Sequence, residues 1–95
     1  MRLRWTRPAL AHLRAIAEYI EQENPRAARR VVRSIRDQVA ILLDHPDIGR
    51  AGRVEGTREL VIARLPYVVA YRVRGDVVEI LAVIHTSRRW PEQLP

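Results

Sequence analysis

The chain has 95 residues, of which 47% are hydrophobic and 29% are charged. This size and composition are typical of one folded domain and leave no room for a second. Without cysteine the chain holds neither a disulfide nor a Cys-ligated zinc site, and no apolar run approaches the roughly 18 residues of a membrane span. The N-terminal residues are polar from the start and do not resemble a signal peptide, so we expect a cytoplasmic protein.

The charge is strongly basic and evenly spread. The chain has 17 basic and 11 acidic residues, so its net charge is +6, and every basic residue is arginine. Each half of the chain carries a net +3, which excludes a basic nucleic-acid-binding arm at one end. Arginine suits phosphate contacts, although a GC-rich genome would also produce this composition. The absence of lysine excludes a lysine base, a Schiff base or a lysine phosphate clamp.

The first half of the sequence predicts a strand followed by two helices. Residues 2–6 alternate between polar and apolar, as in a strand with one buried face. Apolar residues then recur every three or four positions, which predicts a helix over 8–23. Asn24 and Pro25 supply an N-cap and a first-turn proline, so a second helix is predicted over 25–44. Because the join is so short, the helices should form an antiparallel hairpin.

The second half predicts strands. A loop rich in glycine and proline is followed by three β-branched and aliphatic segments with tight connections between them. We predict strands over 57–64, 67–73 and 77–85, and a C-terminal tail over 86–95. The whole chain is then a single α+β domain, in which an N-terminal strand precedes a two-helix hairpin packed on one face of an antiparallel sheet of about four strands.

Alternate positions of the last predicted strand differ in character. One set is wholly apolar and should face the helices; its members are Val78, Ile80, Ala82 and Ile84. The other set ends in His85 and should lie on the open face of the sheet. Arg72, in the preceding strand, is predicted to share that open face with His85.

The C-terminal run after the last strand sets several chemically active side chains within six positions. They are His85, Arg88, Arg89 and Trp90. His85 could act as general acid or base at neutral pH while Arg88 and Arg72 stabilise a charge developing on phosphorus. The simpler alternative is a capped strand end with a solvated arginine pair. For contacts to a target or to nucleic acid, we predict Arg88, Arg89, Trp90, Arg58 and Arg64.

The predicted second helix carries a basic stripe. Five arginines project within roughly 120° of one another on a helical wheel. They are Arg26, Arg29, Arg30, Arg33 and Arg36. The simplest interpretation is a solvated helix face. Because few carboxylates compensate these positive charges, an acidic partner or a nucleic-acid backbone would also fit the stripe.

Neither metal nor serine chemistry is indicated. His12, His45 and His85 lie far apart and show no helical ligand spacing, so we predict no metal site and no cofactor. Ser34 lies within a predicted helix, and Ser87 lacks the context of a nucleophile elbow.

Several short motifs follow one another along the chain: the Glu23-Asn24-Pro25 join, Asp44-His45-Pro46, the segments 56–60 and 66–72, and the strand ending in Ile84-His85. Taken in this order, they resemble the RelE/ParE superfamily of toxins. The resemblance implies the toxin half of a bacterial type II toxin–antitoxin module of the plasmid-stabilisation kind. It also implies a hetero-oligomer with a co-encoded antitoxin that has a DNA-binding head and a disordered tail. We assign the antitoxin contacts to Arg29, Arg33 and Arg36.

The resemblance leaves two targets open. RelE-like members cleave mRNA on the ribosome, whereas ParE-like members poison DNA gyrase without hydrolytic chemistry. The RelE-like site uses lysines and an arginine after the aromatic residue at Tyr67, but this chain has Val68 there and no lysine. The resemblance therefore favours a non-enzymatic gyrase inhibitor. The alternatives are a ribosome-dependent mRNA endonuclease that uses His85 with Arg72 and Arg88, and a non-toxic module that only binds its partner.

Overall fold

A computed structural model describes residues 1–87 of the chain. Its helices are α1 (Arg7–Glu21) and α2 (Pro25–Ala40), and α2 continues into a 3₁₀ turn, Ile41–Leu43. Its strands are β1 (Arg2–Trp5), β2 (Arg50–Ala51), β3 (Arg58–Val61), β4 (Tyr67–Arg74) and β5 (Val77–His85). The β3 strand is shorter than the predicted 57–64, and β2 is an additional strand of two residues.

The predicted α+β architecture, a helical hairpin packed on one face of the sheet, is confirmed. The sheet has five strands in the order β1-β5-β4-β3-β2 rather than about four. It is mixed, because β1 runs parallel to β5 while the other neighbours are antiparallel. The pairing of β1 with β5 joins the two ends of the chain, and no local sequence pattern reports such a contact.

Both helices begin at side-chain caps, and the cap of α2 is the one that the sequence indicates. Asn24 Oδ1 accepts a hydrogen bond from the backbone N–H of Ala27 (3.1 Å), and Pro25 follows in the first turn. Thr6 Oγ1 likewise accepts from the N–H of Ala9 (3.3 Å) at the start of α1. These caps satisfy backbone donors that a helix leaves free in its first turn.

The main core lies between the hairpin and the sheet. Its fully buried side chains share an aliphatic or aromatic character, and each contributes about 1.5–3 kcal/mol by leaving water. They include Ile35, Val39, Leu42, Ile62, Val69, Tyr71, Val78 and Ile80. Within residues 1–87, no helix is long and apolar enough to cross a membrane.

Tyr71 attaches the loop after α2 to this core. Its hydroxyl donates to the carbonyl of Pro46 (2.8 Å) and accepts from the N–H of Gly49 (2.9 Å). Burial is the main cause that raises the pKa of Tyr71. A Cβ atom on Gly49 would lie 2.5 Å from the Tyr71 hydroxyl, so only glycine allows this approach. The loop therefore has a structural role.

A β-bulge in β5 changes which face its side chains occupy. Ala70 pairs with Ala82, but the next residue, Tyr71, pairs with Ile80, so Leu81 is an extra residue. Thr6 Oγ1 donates to the carbonyl of Ile80 (2.8 Å) beside the bulge. Because an extra residue shifts the two-residue alternation by one, side chains after Leu81 exchange faces relative to an unbroken strand.

The predicted faces of β5 are therefore correct only before the bulge. Val78 and Ile80 pack into the helix-side core as predicted. The other two members of the predicted apolar set, Ala82 and Ile84, belong instead to a smaller cluster with Leu81 and Ala70. His85 pairs with Tyr67, a member of the helix-side core, and lies on that side rather than on the open face.

Candidate functional site

A buried carboxylate organises the part of the open face where β1, β5 and β4 lie side by side. Glu79 in β5 contacts the guanidinium groups of Arg4 in β1, and Arg72 and Arg74 in β4. Arg72 Nε donates to Glu79 Oε1 at 2.7 Å, and Arg74 Nε lies 3.5 Å from the same oxygen. Hydrogen bonds from Arg72 and then Arg4 lower the pKa of Glu79 to about 2. The carboxylate is ionised at any physiological pH, and Arg72 is engaged in an ion pair.

A second buried carboxylate stabilises the other edge of the sheet. Glu59 in β3 accepts from the Arg50 guanidinium at 2.9 and 3.1 Å, and from the backbone N–H of Arg53 at 2.9 Å. These contacts hold the short strand β2 and the turn after it against β3. We assign Glu59 a structural role.

His85 lies at the end of β5, beside α1. Its Nδ1 accepts from the backbone N–H of Ser87 (3.2 Å), so the neutral ring carries its proton on Nε2. The ring meets Tyr67 edge to face, with centroids 5.4 Å apart. His85 is thus positioned by its own turn and by an aromatic neighbour.

A groove of about 500 Å³ separates α1 from the ends of β4 and β5. Its lining includes His12, Ile16, Tyr19, Tyr67, Val83 and His85. The N–H of Val83 donates to His12 Nδ1 (3.2 Å). The His12 ring thereby occupies the edge of β5 beyond the residues that pair with β1. Burial lowers the pKa of His12, so this ring is a neutral acceptor near pH 7. Tyr19 is 69% exposed at the rim.

Two of the residues predicted for a ribonuclease site, His85 and Arg72, lie on opposite faces of the sheet. His85 lies on the helix side of the sheet and Arg72 on the open face, beside Glu79. The expectation that they share one face fails because Leu81 reverses the alternation between them. The remaining candidates of this run, Arg88, Arg89 and Trp90, lie outside the described residues.

Two other predicted contact residues lie at the start of β3 and in the turn that follows it. Arg58 Nη1 donates to the carbonyls of Gly49 (2.9 Å) and Asp47 (3.3 Å), so this half-buried side chain holds the loop after α2. Arg64 is exposed in the turn between β3 and β4 and has a φ of 68°, a left-handed conformation that is uncommon for arginine. Of these two, only Arg64 is exposed.

The basic stripe of α2 lies at the surface. Arg29, Arg33 and Arg36 border a groove of about 450 Å³ whose other lining includes the apolar residues Ala28 and Val32. Arg36 lies over the ring of Trp5, 5.3 Å from its centroid. The other arginines of the stripe form no ion pair with any residue of the described part of the chain. No three His, Asp or Glu side chains within residues 1–87 are grouped to hold a metal ion.

The sequence did not indicate the Glu79 cluster as a unit. The sequence does carry a signal for the arginines of the cluster. Arg2 and Arg4 alternate with apolar residues in β1, and Arg72 and Arg74 do so in β4. Alternation places each pair on one face of its own strand. What the sequence lacks is the pairing of β1 with β5, which brings the two pairs to opposite sides of Glu79.

Comparison with known proteins identifies the class. A solved structure described as the chromosomal ParDE TA system from P. aeruginosa superposes with a TM-score of 0.84 at 33% identity, covering 92% of this chain and 97% of that one. The fold, with its strand, helical hairpin and mixed sheet, is that of a toxin of the RelE/ParE superfamily.

The family within that class follows from sequence. Residues 3–90 match the family described as ParE toxin of the type II toxin–antitoxin system, parDE. Y4kP, a Sinorhizobium fredii protein named as a toxin, is 48% identical over 98% of this chain and 96% of its own length. Toxin RelE2 of Caulobacter vibrioides is 38% identical over 88% of this chain and 93% of its own. The chain belongs to the ParE toxin family of type II toxin–antitoxin systems.

Proposed function

We propose that this toxin binds a cognate antitoxin and stops bacterial growth by poisoning DNA gyrase in the cytoplasm, without hydrolytic chemistry of its own. The observation that carries the proposal is the separation of His85 from Arg72 by the sheet. General acid–base cleavage of a phosphodiester needs an acid or base and a cation at the same phosphate. His85 and Arg72 offer them on opposite faces. Membership of the ParE family also supports this choice.

The antitoxin partner is proposed from the family and from the surface of α2. The similar structure from P. aeruginosa is described as a ParDE system, that is, a toxin with its antitoxin. On this chain, Arg29 and Arg33 are exposed beside an apolar groove floor, which suits an acidic amphipathic tail. Arg36 is the third proposed contact. The complex is then a hetero-oligomer in which the toxin is inactive.

The test is a supercoiling assay with purified gyrase and relaxed plasmid. Micromolar toxin should block supercoiling or trap cleaved DNA–gyrase complexes, and the co-purified antitoxin should reverse the effect. Arg29→Gln with Arg33→Gln should leave gyrase poisoning intact but weaken reversal by the antitoxin. Unaffected gyrase at micromolar toxin contradicts the proposal.

One observation favours a second candidate, a ribosome-dependent mRNA endonuclease. The 38% identical relative from Caulobacter vibrioides is named RelE2. Primer extension after toxin induction distinguishes the two functions, because a ribonuclease creates new mRNA ends. If His85 acts in that chemistry, His85→Ala abolishes them. Normal growth after unopposed expression would instead indicate a module that only binds its partner.

A further inference from the structure

Four arginines stand on the open face in a regular arrangement across three strands. In one row, Arg4 of β1 and Arg72 of β4 both pair with Glu79 of β5. In the next row, Arg2 and Arg74 both pair with Val77. Directly paired residues present their side chains on the same face of a sheet. We call the set formed by Arg2, Arg4, Arg72 and Arg74 the arginine grid.

The spacing of the grid follows from sheet geometry. Two residues on the same face of one strand lie about 7 Å apart, and two strands that flank a third lie about 10 Å apart. The Cα atoms of the four arginines therefore lie at the corners of a rectangle with roughly these sides, and the guanidinium groups of Arg4, Arg72 and Arg74 converge on Glu79 between them. A depression of about 450 Å³ is lined by Arg2, Leu3, Arg4, Arg74, Val77 and Glu79.

The grid carries more positive charge than its structural role requires. Arg72 and Arg4 already donate hydrogen bonds to Glu79. Arg74 reaches the carboxylate only at 3.5 Å and keeps 67% of its side chain exposed, while Arg4 keeps 56%. Arg2 forms no ion pair with another residue of the described chain. With one ionised carboxylate among four arginines, the patch has a net charge of +3.

The turn beside the grid does not cancel this charge. Asp76, between β4 and β5, accepts the N–H of Arg2 through its backbone carbonyl (2.7 Å), and its carboxylate forms no ion pair within residues 1–87. Even when Asp76 is counted, the patch retains a net +2. The surplus is therefore available to an external anion.

The chemistry of the patch favours a repeating phosphate over a peptide. The guanidinium fork binds two oxygens of a phosphate at once, and several neighbouring forks suit a polyanion. Val77 is the one apolar side chain among the paired positions, so the grid offers little to the apolar residues of a peptide. Trp5 packs on the helix side, so it cannot stack on bases here.

We propose that the arginine grid binds the phosphodiester backbone of nucleic acid, independently of base sequence. This site is separate from the residues assigned to the antitoxin and does not depend on gyrase as the target. Backbone contacts release counterions, so affinity falls with salt in proportion to the number of phosphates bound.

The experiment measures binding of the full-length toxin to labelled duplex DNA, single-stranded DNA and RNA of equal length by fluorescence anisotropy at several salt concentrations. Arg2→Gln with Arg74→Gln removes the surplus charge but keeps the two arginines that donate to Glu79. This double variant should bind several-fold more weakly and reduce the slope of log affinity against log salt by about 2. Preference among the three probes identifies which nucleic acid supplies the backbone.

A matched control removes equal charge elsewhere. Arg14→Gln with Arg26→Gln changes two exposed arginines of the helical hairpin and should leave the slope unchanged. If both double variants lose affinity equally, net charge and not the grid explains binding. If the grid variant binds like wild type, or if the grid binds an acidic peptide and no nucleic acid, the proposal is wrong.

Two further variants guard against misfolding as the explanation. Arg2→Lys with Arg74→Lys keeps the charge but loses the forks, so it should retain the salt slope with lower affinity. Glu79→Gln adds one net positive charge and should strengthen binding. Circular dichroism at the assay temperature verifies that each variant is folded. Weaker binding by folded Glu79→Gln would contradict the electrostatic account.

Discussion

The two faces of the sheet are stabilised by different physical interactions. The helix side holds an apolar core with Ile35, Val69 and Ile80 wholly buried. On the open face, ion pairs join neighbouring strands around Glu79 and Glu59, beside the smaller apolar cluster. Apolar packing does not depend on protonation, whereas the ion pairs require an ionised carboxylate. The helical hairpin covers the helix side of the sheet, whereas arginine side chains on the open face remain accessible to ligands.

The largest expected effect comes from the helix side. Ile35→Ala removes most of a fully buried side chain from α2 and should lower the free energy of unfolding by about 2–5 kcal/mol. The loss should be the same at pH 7 and pH 4, because no titrating group is involved. Urea unfolding followed by circular dichroism measures it. Ile41→Ala, at a position that is 47% exposed, is the control and should cost far less.

The next effect tests the attachment of the loop to the core. Tyr71→Phe removes a hydroxyl that donates to Pro46 and accepts from Gly49, which leaves both backbone groups without that partner. We expect a loss of about 1–3 kcal/mol in the free energy of unfolding. Amide exchange at Gly49 should accelerate in the variant. An unchanged exchange rate would mean that the hydroxyl does not hold the loop.

On the open face, the contribution of Glu79 to stability should depend on pH. Folding lowers the pKa of Glu79 from 4.5 to about 2, so its contribution is fully present above about pH 5 and is lost as the pH falls toward 2. Glu79→Gln should therefore be less stable than wild type at pH 7, and the difference should shrink on acidification. Unfolding midpoints measured from pH 7 to pH 2.5 test this. A difference that stays constant over that range would remove the ion pairs from the account.

The smallest expected effect concerns the two kinds of arginine on α2. Arg36 lies over Trp5, and Arg36→Gln should cost about 0.5–1 kcal/mol of stability. Arg29→Gln is the control, because Arg29 is exposed without an ion pair in the described chain and should leave stability unchanged. Thermal unfolding of the two variants in parallel distinguishes them. Equal midpoints would mean that the contact with Trp5 is not stabilising.

Local signals in the sequence predicted much of the fold. The cap at Asn24 and the proline after it locate the start of α2, because capping depends on neighbouring residues alone. The helical hairpin and strands β4 and β5 follow from periodicity in the same way. Strand β2 was missed because two residues are too few to show alternation.

Long-range features could not be predicted in this way. The parallel pairing of β1 with β5 depends on contacts between the two ends of the chain. The extra residue Leu81 has no marker in composition, since it lies within an unbroken apolar run. That one residue places His85 and Arg72 on opposite faces of the sheet, so the expectation that they share the open face was wrong.

The most direct test of the central claim, a ParE-family toxin that acts on gyrase without hydrolysis, compares wild type with His85→Ala in a reaction that contains gyrase and plasmid but no ribosomes. The account predicts that both proteins trap cleaved DNA–gyrase complexes at the same concentration, and that neither creates new mRNA ends in a translating extract. New mRNA ends that disappear in His85→Ala, together with unaffected gyrase, would contradict it.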